Sequence, residues 1–242
     1  MQDLTQQSRR VFLKNSLSTA AWVATTTSGL LIPGTNVVAK LPSQLPLAKS
    51  IYELKGEVLV DGIIATNATL ITPNSLVITR SNSYVIFKIG EDAHILRENS
   101  QIQLQGDGII VSTLRLISGK ILSVFGKRES SKPYQLHTTT ATIGIRGTGV
   151  YAESYTDSSY LCTCYGVVNI QANRDTTSQE IISATHHDSP RFILASGQSG
   201  KLIEPAPMKN HSDEELMLIE TIVGRTAPLS FIKGYKKPRR RY

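Results

Sequence analysis

Turn residues recur at intervals of about 8 to 12 residues from Tyr52 to about Ile203, and the segments between them alternate apolar and polar residues. No helix-length 3.6-residue period appears before residue 212. A chain punctuated this often cannot build long helices, so the spacing predicts an all-β body. Glu57–Asp61, Ser75–Arg80, Tyr84–Ile89, Ala93–Arg97, Gln101–Gln105, Ile109–Ser112, Leu114–Ile117 and Ile121–Val124 read as successive strands. Ser159–Tyr165, Gly166–Ala172, Gln179–His186 and Phe192–Ser196 continue the series. Short strands of similar length fit a solenoid-like roll or a sandwich equally well.

One stretch departs from simple alternation. In residues 138–153, TTTATIGIRGTGVYAE, Ile143 and Ile145 share one face of an extended chain, whereas Val150 and Ala152 have the opposite parity. One residue must slip between the two pairs. Gly147 or Gly149 is the place for a bulge or a left-handed residue, so a corner is predicted at Gly147-Thr148-Gly149. Arg146, just before it, is expected to hold backbone carbonyls across the bend.

The end of the body differs. Ser212 followed by Glu215 forms a capping-box pattern, and Asp213, Glu214 and Glu215 fill a first turn, where the helix dipole favours acids. Gly224 is a stop signal. Leu216, Ile219, Ile222 and Val223 form the expected docking face of a C-terminal capping helix within residues 205–227. About eleven residues are marginal as an isolated helix, so this one must pack on the β body.

The formal net charge of +7 is concentrated at the ends. The last ten residues carry six basic side chains and no acid, whereas residues 40–232 hold 17 basic against 18 acidic residues. A basic nucleic-acid surface on the fold is therefore excluded. The tail, residues 228–242, is expected to be disordered, with at most a weak contact to an anionic surface. Ser8-Arg9-Arg10-Val11-Phe12-Leu13-Lys14 is a full twin-arginine export motif, followed by a weakly apolar stretch and by small residues at Val37-Val38-Ala39. Residues 1–39 read as a signal peptide cleaved after Ala39, and residues 40–51, with two prolines, as a linker. The expected location is the periplasm, with no transmembrane segment after cleavage. Twin-arginine export carries folded passengers, which favours a metal, cofactor or partner acquired before export.

The order Gly56–Gly62, Asn74–Thr79, Tyr84–Lys88, Ser118–Ile121 and then Thr140-Ala141-Thr142-Ile143-Gly144-Ile145-Arg146-Gly147-Thr148 resembles a FecR-type domain, an exported all-β module. The resemblance covers about residues 52–172 and is carried best by TATIGIRGT with the preceding Gly119-Lys120-Ile121. It implies a FecR-like β domain, extended here to about residue 204. Signalling members of that family carry a membrane span and a cytoplasmic anti-sigma segment, whereas this chain reads as a stand-alone exported member. Their transmembrane regulatory role does not transfer.

Chemistry-bearing residues gather after that stretch. Cys162 and Cys164, the only two cysteines, lie two apart on a strand, so both sulfurs project from one face, shared with Tyr160. That placement makes a poor strain-free disulfide and a ready pair of thiolate ligands for a soft or borderline metal. His186 shares a face with Ile182 and Ala184, and His187 takes the other unless the chain turns at Asp188 and Pro190. His211 sits just before the helix. Cys162, Cys164, one of His186 and His187, and His211 suffice for one tetrahedral site, with the unused histidine or Asp188 supporting it. Two small buried thiols with surface histidines, and a strained Cys162–Cys164 disulfide, are the alternatives.

Catalytic patterns are weak. His187-Asp188-Ser189 is contiguous, unlike a triad assembled in space. Gly197-Gln198-Ser199-Gly200 lacks nucleophile-elbow spacing, and Gly144, Gly147 and Gly149 do not match a dinucleotide fingerprint. The sequence thus points to a non-enzymatic binding, assembly or sensing module with an envelope or periplasmic protein partner. The alternative is a metal-binding protein for storage, sensing or electron transfer.

Overall fold

The computed structural model describes residues 45–226 except 47, 109, 128–133 and 188. The expected twin-arginine leader with its cleavage point, half of the expected linker, the polar excursion at 128–133 and the basic tail lie outside the described residues.

The body is all-β. Its first half contains β1 (Ile51–Lys55), β2 (Val58–Val60), β3 (Ile63–Ile64), β4 (Leu76–Thr79), β5 (Tyr84–Ile89), β6 (Asp92–Leu96) and β7 (Ser100–Asp107). Then come β8 (Ile110–Val124), β9 (Tyr134–His137), β10 (Ala141–Ser154), β11 (Ser158–Ala172), β12 (Gln179–Ala184), β13 (Arg191–Leu194) and β14 (Ile203–Pro205). One helix among the described residues, α1 (Asp213–Ile222), follows. All fourteen strands join one sheet that does not close into a barrel, with main order β14-β13-β11-β10-β9-β8-β7-β4-β2-β3. A branch runs from β8 through β6 and β5 to β1, and β12 pairs with β11. Pairing is antiparallel except between β8 and β9.

Strand lengths are less uniform than the sequence suggests. Ile109–Ser112, Leu114–Ile117 and Ile121–Val124 read as separate strands, yet from Ile110 they form one 15-residue strand, β8. Likewise Ser159–Tyr165 and Gly166–Ala172 merge into the 15-residue β11. The glycines between these pieces bend the strand instead of ending it. Gly119 has φ +87°, and a Cβ there would meet the Ser100 side chain at 2.2 Å. Beyond that bend β8 changes partners, from β7 to β6 and β10. The corner expected in β10 is present. Gly147 has φ +61°, and the register against β11 shifts between Arg146 and Gly149 and again before Val150. Before the corner β10 pairs with β9, and after it with β8. It is a bulge within one strand, not a break between two, because neighbours on both sides keep the ladder going. Arg146 is exposed.

The bends let one sheet bury two faces. Val150, Ala152, Leu161, Ile121, Phe87 and Leu96 join an inner core that draws residues from β1 through β13. Tyr151, Tyr160, Cys162, Cys164, Leu122 and Ile95 are also buried but stand outside that core. Helix α1 packs over β6 and β8. Central strands therefore read as unbroken buried runs, as in Asp92–Leu96 and in residues 159–165.

The capping box on α1 forms as the sequence predicts: Ser212 Oγ accepts from Glu215 N–H, and the Glu215 carboxylate accepts from Ser212 N–H. At the other end Gly224 (φ +76°) bonds to Thr221 O at 2.9 Å and Arg225 N–H to Glu220 O at 2.9 Å, a Schellman stop. Leu216, Ile219 and Ile222 are fully buried. Val223, expected on that face, is only half-buried, and Glu220 is buried instead. Its carboxylate accepts from Tyr165 Oη and pairs with Arg225 at 2.7 Å, so the helix docks through a satisfied charge as well as through apolar contact. At the first turn Arg97 Nη2 bonds both Glu215 oxygens, at 2.8 and 2.9 Å, and Asn210 O at 2.9 Å.

Glu215→Ala removes the side-chain half of the capping box and leaves Arg97 without its carboxylate, which should cost about 3–5 kcal/mol of stability. The exposed neighbour Glu214→Ala should stay within about 0.5 kcal/mol of wild type. Urea midpoints of the two variants check this.

Candidate metal centre

The sheet's outer face carries the site. Tyr151 of β10 pairs in register with Cys162 of β11, and Glu153 with Tyr160. Alternation then places Tyr151, Glu153, Tyr160, Cys162 and Cys164 together on one side. Both cysteines are fully buried and free, so the disulfide alternative is not adopted.

The two histidines that join them arrive from different elements. β12 ends at Ala184, and His187 takes φ +52°, with its N–H bonded to Cys164 O at 3.0 Å. That left-handed residue is the turn the sequence suggested, and it sends the His187 ring inward. His211 is delivered by the segment before α1, where Asn210 is also left-handed (φ +64°). Donor atoms of Cys162, Cys164, His187 and His211 all lie within 4.8 Å of one another, and all four residues are buried. His186, the other candidate, stays outside this tetrad. Its ring is exposed and bonds the Asp213 carboxylate at 3.0 and 3.1 Å. Asp188 lies outside the described residues.

Hydrogen bonds fix which nitrogens face inward. His187 Nε2 lies 3.1 Å from Asp213 Oδ1. His211 Nδ1 lies 2.7 Å from Lys209 O. A carboxylate and a carbonyl only accept, so both of those nitrogens carry hydrogen and donate. The remaining nitrogens, His187 Nδ1 and His211 Nε2, present lone pairs and face each other at 2.9 Å. Two bare lone pairs at that distance repel unless a proton or a cation lies between them. Cys162 Sγ is 3.5 Å from His187 Nδ1. Sulfur and nitrogen ligands on one tetrahedral zinc ion, at 2.3 and 2.0–2.1 Å, sit about 3.5 Å apart.

Charge distribution agrees. A hydrogen bond from the Cys164 thiol, opposed by burial and helped by the His187 and His211 rings, holds the Cys162 thiol far below its usual range. Burial, and then the Cys162 charge, push Cys164 up. Burial pulls His187 down, but Cys162 and Asp213 outweigh it and raise it overall. The same neighbours thus favour the thiolate at Cys162, the thiol at Cys164 and the protonated ring at His187. A divalent cation would be held here by two thiolates and two neutral rings, Cys162, Cys164, His187 and His211, and its binding would release the protons those donors carry. Asp213 on His187 and the Lys209 carbonyl on His211 orient those rings, as the outer partners of metal-bound histidines do.

Sequence reasoning missed the buried carboxylate behind His211. Tyr151 stacks on the His211 ring, with centroids 4.6 Å apart and planes at 12°. Tyr151 Oη donates to Glu153 Oε1 at 2.7 Å, where Asn210 Nδ2 also donates at 2.6 Å. Tyr155 Oη and Lys209 Nζ reach Glu153 Oε2 at 2.6 and 2.8 Å. Burial alone would raise the Glu153 pKa, but these bonds, Lys209 first, bring it down to about 2 from an ordinary 4.5. One carboxylate therefore anchors both residues preceding His211 and the ring stacked on it. The sequence signal was Tyr151 and Glu153 at the end of TTTATIGIRGTGVYAE, with the parity of Cys162.

No family model matches the chain, and no curated protein matches it. Solved structures similar to it include two crystal structures, at 1.65 and 2.50 Å resolution, of a protein provisionally assigned as an anti-sigma factor from Parabacteroides distasonis ATCC 8503. Each aligns with a TM-score of 0.43 and 10% identity over 58% of this chain and 62% of that one, less than two thirds of either.

A depressed carboxyl pKa stabilises the fold above the ordinary carboxylate range, and that contribution is lost as pH falls towards the folded value. Glu153→Gln should therefore be less stable than wild type at pH 7, and the gap should narrow steadily between pH 4.5 and about 2. Melting temperatures of both proteins across that range check it. A gap that stays constant would refute the charged, hydrogen-bonded carboxylate.

Proposed function

We propose that this chain is an exported, FecR-type β module that binds one zinc-class ion through Cys162, Cys164, His187 and His211. The observation that carries the reading is the pair of inward lone pairs, His187 Nδ1 and His211 Nε2, 2.9 Å apart beside two buried sulfurs. Imidazole and thiolate together suit zinc or copper(I), and four protein donors form the closed set typical of structural zinc. Such a set leaves no coordination position for a substrate, which favours holding or sensing metal over catalysis. Twin-arginine export supports a periplasmic location and metal loading before export. It also supplies a reason to bury two thiols behind an ion in an oxidising compartment.

A protein partner is the second part of the reading. Ile63 and Ile64 are 74% and 68% exposed on β3, at the end of the sheet's main path. Large apolar side chains on an edge strand are a liability that a bound partner removes.

Full-length protein purified without chelator should carry about one equivalent of zinc by mass spectrometry, and Cys164→Ser and His211→Ala should each lower this to less than about a tenth. Chelation should then expose two titratable thiols. Cys164→Ser that retains all its metal would sink the reading.

A further inference from the structure

His187 is the one side chain that belongs to two groups of donors. Its Nδ1 faces the buried tetrad. Its Nε2 faces outward to Asp213 Oδ1 at 3.1 Å, and His186 Nε2 approaches both oxygens of the same carboxylate at 3.0 and 3.1 Å. The donor atoms of His186, His187 and Asp213 lie within 4.8 Å of one another. Exposure grades across the group: the His187 side chain is 3% accessible, Asp213 28% and His186 40%. The outer group therefore opens to solvent, unlike the tetrad.

We propose that His187 bridges two cations, the buried ion of the tetrad and an outer divalent cation held by His186 Nε2, His187 Nε2 and an Asp213 oxygen. This rests on the tetrad reading and extends it. Two imidazole nitrogens and one carboxylate suit a borderline divalent ion such as Zn²⁺, Co²⁺, Ni²⁺ or Cu²⁺. Separations of about 3 Å from Asp213 to each histidine nitrogen match neighbouring ligands on such an ion at bond lengths of about 2.0–2.2 Å. Solvent fills the remaining positions. Coordination through both ring nitrogens requires His187 to lose its Nε2 hydrogen, which leaves as a proton to water as the Nε2–metal bond forms. The inner ion makes that loss easier by withdrawing electrons from the same ring. Two thiolates cancel the inner ion's charge, so the second cation meets little repulsion across the ring. The positive N-terminal end of α1 opposes a cation at Asp213, and the charges of Asp213 and Glu214 in the first turn offset it.

Cobalt(II) distinguishes the two positions, because only a thiolate-bound ion gives intense sulfur-to-cobalt charge-transfer absorption. Full-length, chelator-stripped protein titrated anaerobically with Co²⁺ should take up two equivalents. One should bring the charge-transfer band, and the other only weak d–d absorption. His186→Ala, a change at an exposed ring, should keep the banded equivalent and lose the other. Uptake ending at one banded equivalent in wild type overturns the outer site while leaving the tetrad standing. Two equivalents surviving His186→Ala overturn it as well, by showing that the second ion binds elsewhere. Uptake without any charge-transfer band means the tetrad reading has failed, and the bridge falls with it.

Discussion

The structure depends on long strands that change partners without breaking. β8, β10 and β11 each pair with one set of neighbours on one side of a positive-φ glycine and another set on the other: Gly119, Gly147 and Gly166. At Gly166 a Cβ would lie 2.4 Å from the Thr148 side chain, so the close approach of β10 and β11 at the bend also requires glycine. Without the bends, one sheet could not curl round the inner core and still offer an outer face to α1. With them, one half of each strand is buried on both sides: β8 and β10 beyond the bend, β11 before it. That is the environment in which Cys162 and Cys164 lie fully enclosed.

Helix α1 and the segment before it are clamped over that face by polar contacts that do not involve the tetrad. Arg97 joins Asn210 O to Glu215, Glu153 joins Lys209 and Asn210, Tyr160 Oη bonds Pro207 O at 3.0 Å, and Tyr165 with Arg225 holds Glu220. These contacts flank His211 on both sides. The His211 ring is therefore positioned by the scaffold, in contrast to small zinc domains whose ligands converge only when the ion binds. Preorganisation of this kind would leave a bound metal to occupy a finished site rather than to fold the chain.

Much of this was legible in residue patterns, and the failures share one cause. The all-β class, the Gly147–Gly149 corner and both caps of α1 follow from local rules about turn spacing, parity and hydrogen-bond donors at chain ends. The pairing of Cys162 with Cys164 on one face is also local. The runs either side of Gly119 and Gly166 read as separate strands because a glycine between two apolar runs looks the same whether the chain reverses or bends. Only the partner strands decide, and those are far away in sequence. His186 and His187 were interchangeable for the same reason. Local alternation put His186 with Ile182 and Ala184, whereas the left-handed turn at His187 and the bond from its N–H to Cys164 O select the other ring. Asp213 looked like a helix-dipole residue, and Glu153 like an ordinary strand acid. Their contacts span 26 or more residues, from Asp213 to His187 and from Glu153 to Asn210.

What makes the tetrad more than a polar cluster is the number of charges it would otherwise keep. Buried ionisable groups are tolerated when paired, and each pairing must offset desolvation. With a proton between the rings, the site holds two sulfurs and two imidazoles, all enclosed, with the Cys164 thiol donating to Cys162 O at 3.8 Å. A divalent ion held there would make the same four side chains a neutral set in which every inward lone pair has a partner. Asp213 outside and the Lys209 carbonyl behind have already chosen the ring tautomers that such a complex needs.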